Sequence, residues 1–83
     1  MVRVTFDKLS YSEYKKLNYQ LRIRIDSVLN RFTKGHRVDI NKKKGDTNEY
    51  RIRVGDYRII LAKISSTEYR AIRIQHRKKV YKN

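Results

Sequence analysis

The sequence predicts an α+β domain: an antiparallel sheet of about four strands, mixed at one edge, with an N-terminal αα-hairpin packed on one face. Three observations carry that expectation. Residues 49–54, Glu-Tyr-Arg-Ile-Arg-Val, alternate strictly and run into Gly55-Asp56, a two-residue hairpin turn of type II′ with glycine at the first central position. Leu21, Ile25, Val28, Leu29 and Phe32 fall at i, i+4, i+7, i+8 and i+11, one stripe of an amphipathic helix. The chain has 83 residues, enough for a single small domain spanning 1–83 and too few for a second core.

In chain order, Val2-Arg3-Val4-Thr5-Phe6 reads as a short first strand. Ser10-x-x-Glu13 has the form of a capping box, with Leu9 and Tyr14 placed for a hydrophobic staple, so a helix is expected from near residue 11. Tyr14 and Leu17 share its buried face. Asn18 marks a break and caps the next helix, which Lys34-Gly35 terminates. Residues 36–48 are a polar connection, with a short extended piece at 38–40. The hairpin of 49–54 and 57–64 follows, and Ile59-Ile60-Leu61-Ala62, apolar on both faces, reads as a central strand. Ser65-Ser66-Thr67 turns the chain into a last strand over 69–77, with Ile72 and Ile74 on one face and Arg73, Gln75 and Arg77 on the other. The predicted order is β-α-α-β-β-β.

Composition narrows the function classes. Lys and Arg number 22 against 8 Asp and Glu, for a formal charge of +14. Of these, 13 basic and 4 acidic side chains lie beyond residue 40. That balance favours nucleic acid, a ribosome or an acidic protein as partner. Thermal adaptation alone would enrich glutamate beside lysine, and glutamates are few here. No cysteine is present, which excludes disulfides, thiolate metal sites and cysteine nucleophiles. His36 and His76 have no ligand spacing, so no metal or other cofactor is expected. No apolar run approaches a membrane span and no signal-peptide core is visible, so a cytoplasmic protein without membrane association is expected. No P-loop, dinucleotide fingerprint or nucleophile elbow occurs.

The chemistry concentrates in the hairpin. A two-residue loop sets Val54 opposite Tyr57, Arg53 opposite Arg58 and Ile52 opposite Ile59, so Arg51, Arg53 and Arg58 share one face. Like charges directly opposed destabilise a sheet, so the cluster implies an anion, and a polyphosphate backbone fits. Arg77 is expected to join these three. Guanidinium groups grip phosphate through paired N–H donors, and they can also stabilise a pentavalent phosphorane. Arg73, Lys42, Lys44, Lys78 and Lys79 are candidate phosphate contacts around the cluster. Tyr50 and Tyr57 lie with Ile52 and Val54 and are expected in the core. Tyr81 stands in a basic tail outside any periodic pattern, and function or a structural cap are both open for it. His76, alternating with Ile72 and Ile74, is expected at the edge of the apolar face as a structural residue.

The hairpin YRIRVGDYRII, followed after one more strand by His76-Arg77-x-x-Val80-Tyr81, resembles the RelE/ParE superfamily of bacterial and archaeal toxins, over essentially the whole chain. RelE-like members enter the ribosomal A site and cleave mRNA there, the ribose 2′-OH attacking the adjacent phosphate without a metal. The resemblance implies that Arg58 and Arg77 stabilise the phosphorane. It also implies that Tyr81 stacks on the substrate base or assists proton transfer. Arg51 and Arg53 hold the positions of basic strand residues that are lysines in the best-known branch. Arginine is a poor general base, which leaves Tyr81, His76 or a water for that role. The resemblance further implies an acidic RelB-like antitoxin, with ribosome and mRNA as the other partners. Two alternatives remain: a ParE-like inhibitor of DNA gyrase on the same fold, or a basic RNA-binding module without catalysis.

Overall fold

The computed structural model describes residues 1–45 and 48–77. Its elements are β1 (Arg3–Phe6), α1 (Lys8–Lys15), α2 (Tyr19–Thr33), β2 (Ile40–Lys42), β3 (Glu49–Val54), β4 (Tyr57–Ser65) and β5 (Glu68–His76). They form one five-stranded sheet in the order β1-β5-β4-β3-β2, with β4 central, as its doubly apolar run requires. β1 runs parallel to β5 and every other pair is antiparallel, so the sheet is mixed at that edge. The expected four strands become five because residues 40–42 pair with 50–52 along the outer side of β3. Three residues, Ile-Asn-Lys, are too short for a legible alternation. Pairing there serves backbone groups that the edge of β3 would otherwise expose.

Ile25 and Leu29 of α2 enter the core against Ile52, Val54, Ile59, Leu61, Ala71 and Ile74 of the sheet. Truncating a fully buried isoleucine of this set, such as Ile25, to alanine is worth about 2–5 kcal/mol. Leu21, Val28 and Phe32 complete the α2 stripe as partly buried neighbours, and Tyr50, Tyr57 and Tyr69 lie against the same core. The Asn18 side chain caps α2 by accepting from Leu21 N–H at 2.8 Å. At the other end the chain leaves through Gly35, at φ +82°. The Tyr14 hydroxyl donates to Asp26 at 2.7 Å and ties the two helices together. That bond to a carboxylate pushes the tyrosine pKa up to about 12. Neither helix is long and apolar enough to cross a membrane.

Two local expectations are corrected. Ser10 and Glu13 do not form a capping box, and α1 begins at Lys8 rather than near residue 11. Asp7 is the N-cap, its carboxylate accepting from Ser10 N–H at 2.9 Å. Ser10 is fully buried and its hydroxyl donates to the Ala71 carbonyl at 2.6 Å. The Glu13 carboxylate accepts from Ile74 N–H at 2.7 Å and from Arg73 Nε at 3.1 Å. It serves the backbone of β5 beyond the point, at Ala71, where β1 stops pairing. Both residues are thus spent on contacts about sixty positions away, and Leu9 is half exposed rather than stapled.

The second correction concerns Ile72, which was expected on the face of Ile74. Ile60 pairs with Arg73 but Leu61 pairs with Ala71, leaving Ile72 as the extra residue of a β-bulge. The bulge inverts the alternation, so Ala71 and Ile74 enter the core while Ile72 lies with Arg51, Arg58 and Arg73 on the opposite face.

The cap makes a prediction. The Asp7 carboxyl is held below its usual pKa, chiefly by the Ser10 N–H it accepts from. Its contribution is therefore present above the unfolded pKa and is lost as pH falls through the folded one. Asp7→Ala is expected to lower stability by about 1 kcal/mol in urea unfolding at neutral pH. Asp7→Asn, an equally good cap, is expected to keep that stability and flatten its decline in acid.

Candidate anion-binding site

Gly55, at φ +60°, and Asp56 close the turn between β3 and β4. The pairing is the expected one: Val54 with Tyr57, Arg53 with Arg58, Ile52 with Ile59. Arg51 lies opposite Ile60, which in turn pairs with Arg73, so Arg51 and Arg73 stand on either side of Ile60 on the same face. Arg77 is brought in by the backbone, its N–H donating to the Asp56 carbonyl at 2.7 Å. The hairpin turn therefore fixes both the Arg53–Arg58 register and the position of the residue that follows β5.

These constraints produce a recess of about 190 Å³ lined by Arg51, Arg53, Arg58 and Arg77, with Asn41, Tyr57 and the turn. Among the described residues, none of the four guanidiniums has a carboxylate within 4.0 Å; the ion pairs are Arg3–Glu68, Arg70–Glu68, Lys43–Glu49 and Arg73–Glu13. Among the described residues, Asp56 is the one acidic residue in the lining. A directly opposed like-charged pair costs roughly 0.2–1 kcal/mol. The arrangement suits an anion able to take several N–H donors at once, such as a phosphodiester. Next to the recess, sharing Arg51 and Arg58, lies a cleft of about 300 Å³ that adds Lys43, Glu49, Ile60, Ile72, Arg73 and Gln75.

Of the other predicted residues, those described fall outside the recess. Arg73 stands on the same face, but its Nε is paired with Glu13 at 3.1 Å. Lys42 and Lys44 are exposed and do not line the recess. Lys78, Lys79 and Tyr81 lie outside the described residues. His76 lines a different cleft with Glu13 and Arg73, its ring edge-on to Tyr57 at 4.8 Å between centroids. Among the described residues no cluster of His, Cys, Asp or Glu is arranged to hold a metal ion.

Sequence reasoning missed two residues. Asn41 reaches the lining from β2, and an asparagine in a polar connection gave no signal of it. Arg24, on α2, rests against Gly55: a Cβ placed on that glycine would stand 3.0 Å from its Nη2. Helical periodicity puts Arg24 on a solvated face and says nothing of the turn it touches.

No protein-family model and no curated protein matches the chain. Solved structures do. The RelB–RelE antitoxin–toxin complex from Methanococcus jannaschii matches at 31% identity and TM-score 0.77, over 93% of this chain and 94% of that one. The chain belongs to the RelE toxin family. The isolated RelE toxin of E. coli shares the fold at 22% identity and TM-score 0.77, covering 92% of this chain and 84% of that one. So does the archaeal RelE–RelB complex from Pyrococcus horikoshii OT3, at 22% identity and TM-score 0.67, over 92% and 94%.

Within this RelE-family fold, Gly55 is held by its conformation. Gly55→Ala is expected to destabilise the chain by about 1 kcal/mol, because φ +60° opposes a Cβ, while the exposed Arg24 guanidinium can move aside. Thermal unfolding checks it.

Proposed function

We propose that this chain is the toxin of a toxin–antitoxin pair and acts as a ribosome-dependent mRNA endonuclease, inhibiting translation by cutting the message in the A site. The convergence of Arg51, Arg53, Arg58 and Arg77 in one recess, without carboxylate partners among the described residues, carries the reading. Membership of the RelE family supports it. The site would seat a scissile phosphodiester with its non-bridging oxygens toward the guanidiniums. The ribose 2′ oxygen attacks phosphorus, the bond to the 5′ oxygen breaks, and a 2′,3′-cyclic phosphate results. Negative charge rises on the equatorial oxygens as the phosphorane forms, so donors fixed by a sheet lower the barrier most at that point.

Two protons must move. One leaves the 2′-OH and one reaches the departing 5′ oxygen. Arginine, with a pKa above about 12, does not accept the first. The acceptor belongs outside the four: Tyr81 beyond the described residues, a water, or His76 from the adjoining cleft. The ribosome and mRNA are the working partners, and their presence places the protein in the cytoplasm. An acidic RelB-like antitoxin is the neutralising partner, in line with the antitoxin–toxin complexes from M. jannaschii and P. horikoshii. The charge of +14 complements such a partner.

Primer extension on programmed ribosomes tests the proposal. Cuts confined to the A-site codon and absent from naked RNA are expected. Arg58→Ala and Arg77→Ala are each expected to slow cutting by about 10²–10³-fold with unchanged circular dichroism, the loss typical of one charge-stabilising donor. An uncut message despite growth arrest overturns the nuclease reading, and a supercoiling assay then tests for gyrase inhibition.

A further inference from the structure

A second groove opens on the helix side of the β3 edge. It has a volume of about 560 Å³ and is lined by Ser27, Val28, Arg31, Arg37, Val38, Asp39 and Arg53. Arg53 thus belongs to this groove and to the recess, so the two meet around one residue. The reason lies in the register. β2 pairs with β3 only as far as Ile52, and at Arg53 the edge is met by a single backbone bond, from Arg53 N–H to the Asp39 carbonyl at 3.0 Å.

The rim is basic and set in place. The Arg31 guanidinium donates to the Arg37 carbonyl at 2.9 Å, which fixes the helix against the 36–39 segment. Arg24, Val28 and Arg31, at i, i+4 and i+7, occupy one face of α2. Arg24 also touches Gly55, at the tip of the hairpin that walls the recess. Among the described residues none of Arg24, Arg31 and Arg37 has a carboxylate within 4.0 Å, and all three are exposed. Asp39 is the one opposing charge in the groove among the described residues.

We propose that Arg24, Arg31 and Arg37 form a second polyphosphate-binding track, joined to the recess through Arg53, which holds RNA backbone outside the scissile step. Val28 and Val38 give it an apolar floor against which a ribose or base face rests. The track rests on the RNA reading above for the identity of its polyanion. The same chemistry is offered by the message beyond its scissile phosphate and by ribosomal RNA.

The test compares the wild type with a variant carrying Arg24→Ala, Arg31→Ala and Arg37→Ala together, all exposed positions, using fluorescence anisotropy over a salt series. With a labelled single-stranded dodecamer, the slope of log K against log salt is expected to fall by about 2 for three lost contacts. A dinucleotide, which offers the recess its single phosphodiester, is expected to keep its affinity, and the triple lysine variant to restore the slope. Equal loss for the dinucleotide overturns the track, since the effect is then general charge. Co-sedimentation with programmed ribosomes separates the sources. Weakened ribosome binding with an unchanged dodecamer slope assigns the track to ribosomal RNA, and a reduced dodecamer slope assigns it to the message. No change in either arm overturns it. So does lost binding of poly-L-glutamate with both RNA arms intact, which gives the groove to an acidic protein. If the wild type fails to cut on ribosomes yet the slope still falls, the track stands and the nuclease reading fails.

Discussion

The two-residue turn at Gly55-Asp56 is the constraint on which the rest of the molecule depends. It sets Arg53 directly against Arg58, a pairing that a free sheet disfavours, and leaves no slack to separate them. Its glycine supplies φ +60°, and its aspartate carbonyl anchors the backbone of Arg77. One tight turn therefore assembles the recess from the two strands it joins and from Arg77, which follows β5. The apolar half of the same register, Ile52 with Ile59, seals the opposite face against α2. Slipping by one residue would place the arginines in the core and the isoleucines in water. Burial on one side thus enforces repulsion on the other.

The supporting elements stabilise that arrangement from below. Asp7 caps α1, Ser10 reaches across to Ala71, and Glu13 holds Ile74 N–H and Arg73, so α1 fastens β5 where the parallel strand has ended. β5 in turn delivers Arg77. The bulge at Ile72 is part of the same device, because it keeps Ala71 and Ile74 buried while Arg73 and Arg77 remain on the side of the basic face.

Local rules made the hairpin, the α2 stripe and the Asn18 cap legible, since each rests on neighbours within a turn or two. The convergence of Arg51, Arg53 and Arg58 followed from register alone, and Arg77 followed from the placement of β5. What escaped depends on distant partners. Ser10 and Glu13 satisfy a capping pattern, yet both are claimed by β5, and only the fold decides between the two uses. Ile72 fits an alternating strand until one extra residue is inserted. Asn41 and Arg24 reach the recess and its hairpin through strand pairing and helix placement that no periodicity encodes. The family resemblance rests on the hairpin and on the His76-Arg77-x-x-Val80-Tyr81 segment, and the 31% identity to the M. jannaschii complex agrees with it.

The central claim is that the Arg53–Arg58 pair is held against its own repulsion for the sake of a polyanion. Urea unfolding of Arg58→Gln beside the wild type at low salt tests it most directly. Stability is expected to rise by up to about 1 kcal/mol, since an opposed like charge is relieved while the strand pairing stays intact. The gain is expected to shrink as salt screens the wild-type pair. A fall in stability would make Arg58 a structural residue and contradict the account.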